Sequence, residues 1–180
     1  REALLRLLET RLRSDHRLVL GVDPSLQSSI GLGRSRIADE LIQRTSPNKH
    51  RVYRLNAEDE ESWISSLQRL ALTLDVRQKV FRRRNELCMA VRDRLQCAEE
   101  WTLLIDSIDS RVVDLDFLKD LCTGQVILIV NSHEDAIPGD WPTPVPVGRL
   151  RTEDALQILQ HALGSSSNVA QNSQQLLPLI

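Results

Sequence analysis

The chain has 180 residues, 41% of them hydrophobic, with 23 Lys plus Arg against 25 Asp plus Glu and a formal net charge of −2. That describes one ordinary globular domain, long enough to hide roughly 70% of its unfolded surface and so to build a core without disulfides or a structural metal. A near-balanced charge argues against a dedicated nucleic-acid or anionic-membrane surface, and no apolar run approaches the roughly 20 residues that cross a bilayer.

Leu4, Leu5, Leu8 and Leu12 recur at helical steps and predict an amphipathic helix at the start. Arg17 to Val22 is short, apolar and stopped by Asp23-Pro24, the pattern of a buried strand. Residues from Asp23 to Gly33 hold Pro, Ser and Gly with no sustained period, after which Ile37, Ala38, Leu41 and Ile42 restart a helix. Arg51 to Leu55 alternates like a strand, and Asp59 caps a helix carrying Trp63, Ile64, Leu67, Leu70, Ala71 and Leu74 on one face. Arg77 to Glu86 reads as a charged connector into a helix with Leu87, Cys88, Val91 and Leu95. Trp101 to Ile105 is an apolar strand expected to stop at Asp106. Phe117, Leu118 and Leu121 suggest a short helix ended by Gly124, and Val126 to Val130 is a further buried strand. Pro142 to Pro146 is loop or edge strand, and Thr152 caps a helix that breaks at Gly164 before a polar tail.

Strands alternating with helices imply an α/β fold with a mainly parallel sheet covered on both faces, because parallel neighbours need crossover connections. The core domain is expected over residues 1–164, with 165–180 a polar linker and the truncated start of a following helical subdomain. Cys88, Cys97 and Cys122 lack metal or redox spacing and read as buried, reduced thiols of an intracellular, cytoplasmic protein. The chain begins without Met and without a signal peptide, and is expected to be a piece of something longer.

Ligands of such sheets bind beyond the carboxyl ends of the strands, where the Asp23 to Gly33 loop and Asp106 both fall. Ser28 to Ser35 is a degraded form of G-x-x-x-x-G-K-[ST], the loop whose backbone amides cradle phosphate at a helix start. Gly33 and Ser35 are kept, Ser28 stands for the first Gly, and Arg34 replaces the Lys with a bulkier planar fork.

From end to end the chain resembles the NB-ARC nucleotide-binding domain of STAND-type, NLR-like signalling ATPases, especially the fungal variety. Arg1-Glu2 resembles the end of its V-G-R-[DE] opening, and Gly31 to Ala38 its G-x-G-K-[ST]-x-[IL]-A. Val52 to Ala57 is similar to V-[FY]-W-[VL]-x-A, Trp101 to Asp109 to W-L-L-[VI]-[LI]-D-N-x-D, Val147 to Ala155 to V-x-x-L-[ST]-x-x-[DE]-A, and Leu177 to Ile180 to G-L-P-L-A-I. The resemblance implies a three-layer P-loop NTPase fold, strand order 5-1-4-3-2, with ADP or ATP at the first strand-to-helix loop. It also implies that Gly31, Leu32, Gly33, Arg34, Ser35 and Arg36 surround the phosphates, and that Ser35 and Asp106 hold magnesium. Arg1 would lie near the adenine, and Pro178 would close over it.

The departures point to weakened or lost hydrolysis. Ser107 stands where hydrolytic relatives often carry a second acid, and Asn131-Ser132-His133 replaces the family's T-[ST]-R. His133 either meets a γ-phosphate or is an exposed loop residue; Asp109 is the candidate catalytic acid or merely orients its loop; Asp106 is a metal ligand or a turn former. No G-x-S-x-G context supports a hydrolase triad, and Arg82 to Arg84 is a solvated connector rather than a nucleic-acid patch. Trp63 and Trp101 are packing residues. The resulting expectation is a weak ADP- or ATP-binding switch, partnered by neighbouring helical or repeat domains and a signalling oligomer; its alternatives are a nucleotide-free scaffold and an active NTPase in which Arg34 suffices.

Overall fold

The computed structural model describes residues 1–23, 32–46, 51–76, 83–108, 111–113, 116–119, 121, 123–131, 137 and 140–149. Within them the elements run α1 (Glu2–Asp15), β1 (Arg17–Val22), α2 (Arg34–Thr45), β2 (Arg51–Asn56), α3 (Glu60–Thr73), α4 (Arg84–Gln96), β3 (Trp101–Ile108), α5 (Asp116–Lys119), β4 (Gln125–Val130) and β5 (Val145–Val147). Glu2–Gly148 forms one compact unit; Arg1 and residues from Arg149 onward belong to a second. The helix expected from Thr152 and the polar tail lie outside the described residues.

The five strands form one sheet in the order β2-β3-β4-β1-β5, with every neighbouring pair parallel. This is the expected order read from the other edge. Alternation along the strands sends side chains to two separate cores. Leu18, Leu20 and Val22 of β1 and Ile127 and Ile129 of β4 pack with Leu5, Leu8 and Leu12 of α1 and Ile37 and Leu41 of α2. Val19, Val126, Leu128, Leu103 and Ile105 face the other way, onto Trp63 and Leu67 of α3, Val91 of α4 and Phe117 of α5. Both faces are therefore covered, which is why the inner strands read as continuous apolar runs. On the α1–α2 side, Arg44 grips Glu2 with two bonds of 2.9 Å and also meets Glu40.

Trp63 and Trp101 are the largest fully buried side chains among the described residues. Trp63 meets Phe117 edge-on at 5.7 Å between centroids, and the Trp101 indole N–H donates to the Leu95 carbonyl at 2.9 Å. The segment Pro142 to Pro146, expected as loop or edge strand, divides: residues 142–144 carry no regular structure, and Val145–Val147 pairs with β1 at the sheet edge, where Pro146 is tolerated because among the described residues its outer side has no ladder to join.

Three expectations are corrected. β3 does not stop at Asp106 but runs to Ile108, with a register shift between Ile105 and Ile108 against β4 and Ser107 in the left-handed region at φ 59°. The extra residue of a bulge lets polar side chains interrupt an apolar strand without ending it. α4 begins at Arg84, inside the segment read as a connector. Cys97, expected to be buried, is exposed because it is the residue at which α4 ends; Cys88 is buried as expected, and Cys122 lies outside the described residues.

Candidate functional site

Parallel pairing brings the carboxyl ends of β1, β4 and β3 to one edge: Leu20 is level with Ile129, Ile105 with Leu128, and Ile108 with Val130. β4 lies between the other two, so the end of β1 and the acid of β3 are separated by two strand spacings, about 10 Å.

The chain re-enters the described structure at Leu32 and turns into α2 at Gly33, which caps the helix with φ 71° and ψ 24°. Those angles belong to the left-handed region, open to glycine at little cost and unfavourable by about 1 kcal/mol or more for other residues. The Leu32 side chain is buried in the α1–α2 core, so only its backbone can serve a phosphate. Gly33 makes no side-chain cap, and the first turn of α2 carries Arg34, Ser35 and Arg36 with no acid. α3 begins oppositely, with the Asp59 carboxylate accepting from the Ser62 amide and with Glu60 and Glu61 in its first turn. Amides without a partner inside the helix, a positive helix end and the exposed Arg36 make the start of α2 suited to an anion.

Ser35 and Arg36 are exposed, whereas Arg34 is buried with 7% of its surface accessible. Its guanidinium donates through one terminal nitrogen to the Val130 carbonyl and through the other to the Asn131 side-chain oxygen at 3.1 Å. The sequence position of the phosphate-binding cation is thus occupied by a side chain turned into the end of β4. Nothing in the charge pattern signals that inward turn, because the acceptor on β4 is a backbone carbonyl.

Asp106 is half-buried on β3, with its carbonyl accepting from the Ala57 amide at 2.9 Å and its carboxylate accepting from the Ser107 hydroxyl at 3.4 Å. Among the described residues no cation of the protein pairs with it, so the carboxylate retains acceptor capacity toward solvent and metal. That donor set fits magnesium, which takes one or two carboxylates or hydroxyls and keeps several waters and phosphate oxygens. Ser35 and Asp106 make no direct hydrogen bond to each other, as two ligands of one ion need not. No cluster of three or more His, Cys, Asp or Glu occurs among the described residues.

A cleft of about 640 Å³ opens nearby, bounded by Arg54 and Asn56 of β2, Arg69 of α3, and Asp106 and Ser107. It lies along β2 and has Asp106 in its lining, with no residue of α2 among the residues that line it. Gly31, Asp109, His133 and Pro178 lie outside the described residues, and Arg1 belongs to the second unit.

The chain superposes on the Aeropyrum pernix ORC2 protein, solved in ADPNP–ADP complexes, with a TM-score of 0.57 and 15% sequence identity. The fold is P-loop NTPase-like. The match covers 88% of this chain and 49% of the ORC2 chain, so the sequence spans about half the length of that protein. At that identity the likeness concerns fold alone. No family model matches the sequence, and no curated protein matches it. No described helix is long and apolar enough to cross a membrane.

Proposed function

We propose that this domain is a nucleotide-binding module that takes ADP or ATP at the turn between β1 and α2. The observation that supports it best is the coincidence of three features at one sheet edge. These are the left-handed Gly33 opening an α2 without a side-chain cap, a first turn bearing Ser35 beside two arginines, and the Asp106 carboxylate two strands away, with which no cation among the described residues pairs. Backbone amides of Leu32 to Arg36 would hold phosphate oxygens, and Ser35 and Asp106 would hold magnesium. When bound, that ion neutralises phosphate charge. Gly31 and His133 would contribute to the proposed pocket, and Asp109 is its candidate acid.

Hydrolysis is weak or absent in this reading, because the cation of the loop is engaged elsewhere and Ser107 supplies no carboxylate. The finer assignment is to a fungal-type NB-ARC switch, cytoplasmic, whose nucleotide state sets contacts with neighbouring helical or repeat domains and a signalling oligomer. The serial order of motifs carries that assignment. Its test is whether the full-length protein changes oligomeric mass on exchange of ADP for ATP; an unchanged mass would remove it.

The binding claim is tested by thermal unfolding with Mg-ADP or Mg-ATP. Ligand at 100 times its dissociation constant stabilises by about 2.7 kcal/mol, a rise of roughly 5–10 °C for a chain of this size. No shift at millimolar ligand would refute it. One observation favours a second reading, a nucleotide-free interaction scaffold: Arg34 is buried on Val130 and Asn131, as a side chain recruited for stability would be.

A further inference from the structure

The Arg34 guanidinium is a planar fork, and two of its arms meet consecutive acceptors, the Val130 carbonyl and the Asn131 side-chain oxygen, at the end of β4. Val130 is itself 2% exposed, so its carbonyl has little recourse to water if the donor leaves. α2 is thereby latched at its first residue to the central strand β4. A diphosphate can be held by amides, the helix end and magnesium without disturbing that latch. A third phosphate adds charge where the loop cation is needed, and must draw the guanidinium off both acceptors.

Resting on the nucleotide reading, we propose that Arg34 is a specificity-determining residue: its latch onto Val130 and Asn131 competes with the terminal phosphate and makes this a nucleoside-diphosphate site. The discrimination comes from an internal competitor rather than from a missing pocket. A lysine at the same place has a compact ammonium that cannot bridge two acceptors in fork geometry, and it would be released to phosphate more readily. Removing the Asn131 side chain loosens one arm and leaves the other.

The experiment is calorimetric titration of the whole chain with Mg-ADP and with the non-hydrolysable β,γ-imido analogue of ATP. It is run on the parent, Asn131→Ala and Arg34→Lys. The parent should bind the diphosphate about tenfold more tightly, the worth of one hydrogen bond to a charged group. Asn131→Ala should narrow that ratio and Arg34→Lys should abolish or invert it. A merely structural role for Arg34 weakens both ligands together and leaves the ratio unchanged. Asn131→Ala keeps the Val130 contact and the core, so it reads the latch even if Arg34→Lys folds poorly. A parent that prefers the triphosphate, or a preference that in both variants stays within twofold of the parent's, overturns the latch while leaving nucleotide binding intact. Binding of neither ligand to any of the three proteins overturns the nucleotide reading and the latch with it.

Discussion

Replacing Gly124 by alanine places a methyl group 2.2, 2.3 and 2.5 Å from three atoms of the Trp101 indole. Ordinary carbon contacts begin near 3.5 Å, so the ring or the backbone must move by more than 1 Å. Trp101 cannot move freely: it is fully buried at the start of β3 and its N–H is tied to the Leu95 carbonyl at 2.9 Å. Overpacking of this kind costs about 1–3 kcal/mol, and loss of the indole hydrogen bond about 1 kcal/mol more. The expected destabilisation is about 2–4 kcal/mol, or roughly 4–16 °C in Tm for a chain of this length. Gly124 does not have a positive φ. Without the indole contact, alanine would therefore stabilise by about 0.4–1 kcal/mol through the unfolded chain, and the sign of the effect is diagnostic. Urea denaturation of Gly124→Ala, Trp101→Leu and the double variant measures it. The double variant should be less destabilised than the sum of the two single ones, because the shorter side chain makes room for the methyl. A neutral or stabilising Gly124→Ala, or strict additivity, would refute the packing of β3 against the turn into β4.

Trp63→Ala removes a buried indole that meets Phe117 edge-on, and should cost about 3–5 kcal/mol in chemical denaturation. Bonds from Ser62 hold the Asp59 carboxyl below its ordinary value of 3.8, so its cap stabilises the fold above that value. The contribution is lost as pH falls through the lowered one. Asp59→Ala should therefore lower Tm at neutral pH, and the gap to the parent should close on acidification; a gap independent of pH would contradict the cap. The Glu2 carboxyl is likewise lowered, chiefly by hydrogen bonds from Arg44, and loses its tie between α1 and α2 on protonation. Glu2→Gln should show the same closing gap in Tm between neutral and acid pH. Asp106→Asn should abolish the magnesium-dependent part of nucleotide affinity, a loss of about tenfold or more by calorimetry, while leaving metal-free binding in place.

The sheet was legible because its inner strands are buried on both faces, and an apolar run bounded by polar residues survives any tertiary context. Helices α2 and α3 were legible from the spacing of Ile37, Leu41 and Ile42 and of Trp63, Leu67 and Leu70, all of which are buried. Strand β3 was underestimated because Asp106 and Ser107 are polar, and a bulge at Ser107 keeps a strand going where composition alone says loop. The start of α4 was missed because Arg84, Asn85 and Glu86 put no apolar side chain into its first turn, so hydrophobic periodicity has nothing to register there. At the site, Gly33 was legible as a backbone requirement, whereas the inward turn of Arg34 was not. Its acceptor is the end of a strand 96 residues away, and a backbone carbonyl has no letter in the sequence. Asn131 appeared only as a departure from a family motif, and its bond to Arg34 gives that departure a physical role.

The most direct measurement is a calorimetric titration of the chain with Mg-ADP, compared with Gly33→Val, which disfavours the left-handed turn without adding charge. A phosphate-gripping turn predicts one ADP bound per chain and affinity lost in the variant while its circular-dichroism spectrum stays helical and stranded. No heat of binding in the parent, or equal affinity in both, would mean that the turn between β1 and α2 holds no nucleotide.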